Sequence, residues 1–117
     1  MPGDRLTQIP VAFYRTAAGA EPVRDWLRSL SVEDRRAIGT DLATVQVGWS
    51  VGMPLCRALG SGLWEIRTTL SNNRIARLVF FVAEGRIGVV HGFIKKTQKT
   101  PPADLALAQR RMKEMIG

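Results

Sequence analysis

The string His91-Gly92-Phe93-Ile94-Lys95-Lys96-Thr97-Gln98-Lys99 places an imidazole, an aromatic ring and an ammonium two residues apart. In an extended strand such residues share a face, so His91, Phe93 and Lys95 project together. This trio suits a nucleobase stacked on Phe93 with its phosphate on Lys95. It also suits RNA cleavage, in which a 2′-hydroxyl loses a proton, attacks the adjacent phosphorus and leaves a 2′,3′-cyclic phosphate. That reaction needs a base, an acid for the leaving 5′-oxygen, and cations for the charge growing on the phosphoryl oxygens. Arg67 and Arg77, each set within a strand-like segment, are candidate cations, and Arg74, Lys96 and Lys99 are further candidates for RNA contacts. No cluster of carboxylates or histidines suggests a metal, and no cofactor is expected.

Each of these residues also has a plainer reading. A lone histidine in an apolar strand is commonly a structural residue, Phe93 fits a core position equally well, and the lysines fit a solvated strand end. Arg77 lies between Ala76 and Leu78, where a charged group is rarely buried alone. Either it pairs with a carboxylate such as Glu65, or it lines a concave polar site.

The charge distribution points the same way. Lys and Arg number 17 against 10 Asp and Glu, a net +7. The excess falls almost wholly after residue 62, which makes a polyanion such as nucleic acid the natural partner. The 117 residues, 45% hydrophobic, fit one domain spanning 1–117. The single cysteine, Cys56, excludes a disulfide framework and reads as a buried thiol between apolar neighbours. No apolar run reaches the roughly 20 residues that span a bilayer, and no secretion signal is visible, so a cytoplasmic protein without membrane association is expected.

The elements that must position these side chains follow from periodicity. Pro10–Arg15 reads as a first strand. A helix begins near Pro22, with Val23, Trp26, Leu27 and Leu30 on one stripe. Ser31 and Asp34 resemble a capping box opening a second helix, which stops near Gly48. Gly52, Pro54, Gly60 and Gly62 make the stretch 49–62 read as irregular connection. In the strand 63–70, Trp64, Ile66, Thr68 and Leu70 share one face while Glu65, Arg67 and Thr69 share the other. Ser71-Asn72-Asn73-Arg74 reads as a tight turn, 75–82 as a central strand, and 86–94 as a third strand completing an antiparallel meander. Thr100-Pro101-Pro102 would cap a last helix with Leu105, Ala108, Met112 and Met115 inward. The expected fold class is α+β, in the order β-α-α-β-β-β-α, with helices packed on a small antiparallel sheet.

Three strings together resemble a known family: Leu63-Trp64-Glu65-Ile66-Arg67, Arg77 in its apolar strand, and His91 through Pro101. They are similar to the phage-derived, HigB-like toxins of the RelE superfamily, and Pro22-Val23-Arg24-Asp25-Trp26-Leu27 resembles that family's first helix. The resemblance covers about residues 10 to 115. It implies a RelE-like fold and a metal-independent mRNA endoribonuclease, usually acting on ribosome-bound message and inhibiting translation. It also implies a cognate helix-turn-helix antitoxin. Arg67 and Arg77 are implied as phosphate and transition-state contacts, Lys95 and Lys96 as phosphate binders and possible acid–base groups, and Phe93 as a stacking platform. Many RelE toxins use a tyrosine near the C-terminal strand, and HigB relatives several histidines. This chain has only Tyr14 and His91, so His91 is the acid–base candidate.

Overall fold

A computed structural model describes residues 8–95 and 99–117. The elements are β1 (Val11–Phe13), α1 (Pro22–Ser29), α2 (Val32–Gly48), β2 (Cys56–Gly60), β3 (Leu63–Thr69), β4 (Ile75–Ala83), β5 (Arg86–Lys95) and α3 (Pro102–Ile116). The strands form one sheet in the order β1-β5-β4-β3-β2. The architecture is α+β, with two corrections to the expected order. The stretch 49–62 contains an edge strand, β2, and the sheet is mixed, because β1 runs parallel to β5 while the other pairs are antiparallel. The glycines that hid β2 sit around it and at its end. Gly60 and Gly62, at φ 89° and 85°, make the turn into β3, where left-handed backbone is required.

The remaining local signals act as their chemistry demands. Ser31 Oγ accepts from Asp34 N at 3.1 Å and caps α2. Asn72 and Asn73 both take positive φ, 61° and 59°, the geometry of a tight hairpin turn between β3 and β4. β4 is buried over most of its length because it lies mid-sheet with helices on both faces.

Two apolar clusters result. Val23, Ile38 and Val45 of α1 and α2 pack with Ile66, Leu78, Phe80, Ile87 and Val89 on one face. Ala108 of α3, with Leu105, Met112 and Met115 beside it, packs with Leu63, Val79, Phe81, Val90 and Phe93 on the other. Each fully buried aliphatic or aromatic side chain contributes about 1.5–3 kcal/mol, so these clusters dominate stability. Arg111 fixes α3 to the sheet: its Nη1 donates to Val90 O at 2.9 Å, and its guanidinium lies over the Tyr14 ring. Tyr14 OH in turn donates to Glu114 Oε1 at 2.7 Å. The Cys56 thiol is buried, and burial raises its pKa to about 11. Among the described residues, no helix is long and apolar enough to cross a membrane.

Close packing at Gly92 gives a testable contrast with Gly39. A Cβ at Gly92 would overlap the Trp26 ring of α1, whereas one at Gly39 meets nothing within 4 Å. Gly92→Ala is expected to lower stability by about 1–3 kcal/mol. Gly39→Ala, in the exposed interior of α2, is expected to raise it by about 0.5–1 kcal/mol. Urea titrations of the two variants measure both signs.

Candidate functional site

The α3 face of the sheet is apolar at one end and polar at the other. By register, Arg67, Arg77 and Phe93 stand in one row across β3, β4 and β5, and Glu65, Val79 and His91 stand in the next. Arg57 of β2 pairs with Glu65 at the end of that second row. One carboxylate therefore lies among the arginines at positions 57, 67 and 77.

Glu65 and Arg77 are both fully buried. Arg77 Nη1 donates to Glu65 Oε1 at 2.9 Å, which decides between the alternatives for Arg77 in favour of the carboxylate pair. Thr100 Oγ1 donates to Glu65 Oε2 at 2.6 Å. This hydroxyl does not cap α3, whose N-cap is Pro101 with no side-chain cap bond. It ties the chain just beyond the lysine-rich string to the arginine face. Arg67 Nε lies 3.9 Å from Glu65 Oε1, too long for a hydrogen bond, and has no hydrogen-bond partner among the described residues. The Arg67 side chain keeps 17% of its surface exposed, so it presents this cluster's charge to the outside.

His91 reaches the α3 face through a bulge in β5. Val79 pairs with His91 and Phe80 with Val89, which leaves Val90 as the extra residue. His91 Nε2 lies 2.7 Å from Asp104 Oδ1 at the start of α3. That contact fixes the orientation of the ring, which has 15% of its surface exposed, and leaves Nδ1 as its other nitrogen. The Phe93 ring centroid is 5.3 Å from that of His91, and Phe93 itself is buried in the α3 cluster. It backs the histidine and presents no open platform.

The other expected residues divide. Lys95 ends β5 opposite Ile75, and Lys99 is exposed beside Thr100. Lys96, with Thr97, Gln98 and the side chain of Lys95, lies outside the described residues. Arg74 does not join the cluster. Its two terminal nitrogens hold Asp34 at 2.8 and 3.1 Å, and its Nε donates to Ser71 O, locking the β3–β4 turn to the start of α2. Sequence reasoning missed three contributors. Arg57 sat in the stretch read as connection, where Cys56-Arg57-Ala58-Leu59 carries one polar residue among three apolar ones and no alternation to mark a strand. Asp104 and Thr100 carry no local signal, because their partners are 13 and 35 residues away. Among the described residues, no group of three or more His, Cys, Asp or Glu side chains could hold a metal ion.

A separate hollow lies where β3 runs past the start of β2. It has a volume of about 600 Å³ and is lined by Asp41 of α2, Pro54, Leu55, Arg67, Thr68 and Ile75, among others.

Residues 25–113 match the model of a family described as phage-derived Gp49-like protein (DUF891). Comparison with curated proteins finds no match.

Two stability predictions follow from these contacts. Arg77→Met strands the Glu65 carboxylate in the core and is expected to cost about 3–5 kcal/mol, whereas adding Glu65→Leu to it recovers most of that loss. Denaturant titrations of the single and double variants test this. The second concerns Asp34, whose carboxyl is held below its ordinary 3.8, chiefly by the hydrogen bonds from Arg74. Its folded-state pKa is depressed, so its stabilisation is present above the ordinary carboxylate range and is lost as pH falls through the depressed value. Arg74→Ala should flatten this part of an acid-unfolding curve.

Proposed function

The chain belongs to the phage-derived Gp49-like family, a toxin-like family, and from that premise we propose that it is the toxin of a type II toxin–antitoxin pair, of the HigB-like branch of the RelE superfamily. Its activity on this reading is metal-independent endoribonucleolytic cleavage of mRNA, on the ribosome and in the cytoplasm, by a single RelE-like domain. The observation that carries the reading is the convergence of Arg67, Arg77 and His91 on one face of the sheet, with Lys95 at the end of the same strand as His91.

In the proposed mechanism Arg67, the exposed member of the buried cluster, takes the non-bridging oxygens of the scissile phosphate. Arg77 acts through Glu65 as a positioning residue, because it is itself fully buried. Lys95, Lys96 and Lys99 hold flanking phosphates. His91, oriented by Asp104, exchanges protons with the attacking 2′-hydroxyl and the leaving 5′-oxygen, and Phe93 supports its ring. The antitoxin, a helix-turn-helix protein, would silence the enzyme by covering this basic face. A second reading, RNA or ribosome binding without cleavage, is favoured by one observation: His91 is only 15% exposed and already engaged by Asp104.

Inducible expression in a bacterial host, with growth followed and mRNA 5′ ends mapped, tests the proposal. Wild type is expected to arrest growth and create internal mRNA cuts. Arg67→Ala with Lys95→Ala should abolish both while the protein stays folded, and His91→Gln should lower cleavage by about 10²–10⁴-fold. Arrest without cuts would establish the binding reading. Full cleavage by His91→Gln would remove His91 from the mechanism.

A further inference from the structure

The hollow beside β3 has the character of a small-ligand site. β2 begins opposite Ile66, so Arg67, Thr68 and Thr69 continue past it with no β2 partner in register. The chain leading into β2 crosses this gap, and Arg67 N donates to Leu55 O at 2.8 Å. Between that segment and α2 the cavity of about 600 Å³ remains. Its size falls in the range of ligand pockets, it opens to the surface, and the apolar Pro54, Leu55 and Ile75 line it together with Thr40, Thr68 and Thr69. Charge is present with both signs, Arg67 on β3 and Asp41 on α2.

That composition fits one nucleotide of a single-stranded RNA. Arg67 projects from the same face as Glu65 and Arg77, the face assigned above to the scissile phosphate. A ribonucleotide adjoining that phosphate could turn its base around the edge of β3 beyond Arg67, where Thr68 and Thr69 have no β2 partner in register, and place it against Pro54, Leu55 and Ile75. Asp41 then supplies the discrimination. A carboxylate accepts side by side through two oxygens and donates nothing. Among the RNA bases, guanine offers the matching pair of adjacent donors, its ring N1–H and its exocyclic amino group. Uracil has a single ring N–H flanked by two carbonyl oxygens, which a carboxylate repels.

We propose that this cavity is a guanine-selective nucleotide subsite, with Asp41 reading the base and Arg67 holding its phosphate. The proposal rests on the RNA-directed reading above and names that site's base preference.

The test uses the full chain and two 2′-O-methyl pentaribonucleotides, which have no free 2′-hydroxyl to attack and differ only in a central guanine or uracil. Binding is followed by titration, with amide chemical shifts recorded on labelled protein. The guanine oligomer is expected to bind at least about tenfold more tightly, the size of effect given by one bidentate contact, and to move the Asp41, Thr68 and Thr69 amides. Asp41→Asn, with thermal unfolding checked, should erase the preference, weakening the guanine oligomer and strengthening the uracil one, because an amide both donates and accepts. Equal affinities, or a preference that survives Asp41→Asn, would overturn the subsite while leaving RNA binding standing. Failure of both oligomers to bind would overturn the subsite and the RNA reading together. Tight, selective binding by a protein that makes no cuts in cells would uphold the subsite and remove only the cleavage step.

Discussion

A carboxylate and a guanidinium buried together in the middle of an otherwise apolar sheet constrain everything around them. Glu65 and Arg77 are both fully inaccessible, and withdrawing each charge from water costs several kcal/mol. The direct bond at 2.9 Å recovers part of that cost, and the Thr100 hydroxyl on the second Glu65 oxygen adds to it. Such a pair adds little net stability compared with two well-packed apolar residues, so the apolar clusters on the two faces must carry the fold. What the pair supplies is position. It fixes β3 against β4 in one register, pins the entrance of α3, and holds the chain beyond the lysines against the same carboxylate.

The same arrangement sets the electrostatics of the exposed part. One Glu65 charge is shared by Arg77 at hydrogen-bond distance and Arg67 at 3.9 Å. Arg67 is therefore incompletely neutralised and partly exposed, with the exposed Lys99 further along and Arg57 across the neighbouring strand. An anion approaching this face meets a fixed positive field with little reorganisation left to perform, which is the condition under which electrostatic stabilisation is most effective. Arg74 shows the opposite use of the same residue type. Its bidentate hold on Asp34 completes both groups, and it joins a turn to a helix start.

Much of this fold was legible in the sequence because the signals were local. The Ser31 cap, the paired asparagines with positive φ and the alternation of Trp64, Ile66 and Leu70 against Glu65 and Arg67 each depend on residues a few positions apart. The Arg77–Glu65 pair was legible as one of two alternatives, since a charge inside an apolar strand needs a partner. β2 was not, because its flanking glycines and proline carry the composition of a loop while its pairing is decided by β3. Thr100 and Asp104 were illegible for the same reason: each acts on a residue brought close only by the folding of α3 onto the sheet. Phe93 shows the limit of residue type as evidence. An aromatic ring on the right face can stack on a base only if it is uncovered, and α3 covers it.

The bulge at Val90 is the device that joins fold and site. Below it, Ile87 and Val89 face α1 and α2; above it, Gly92 lies against Trp26 of α1 while Phe93 packs under α3. Strict alternation from Val89 would have sent His91 and Phe93 to the α1–α2 side, away from Arg67 and Arg77. One additional residue reverses the parity and turns His91 towards Asp104 and the arginine face. It also leaves the Val90 carbonyl outside the β4–β5 register, and Arg111 satisfies it at 2.9 Å from the helix that carries Asp104. The irregularity is thus held by α3 at two points, through Arg111 and through His91. Any force that lifts α3 must release both the imidazole and the bulge, so α3 is the element through which a bound partner would act on this face.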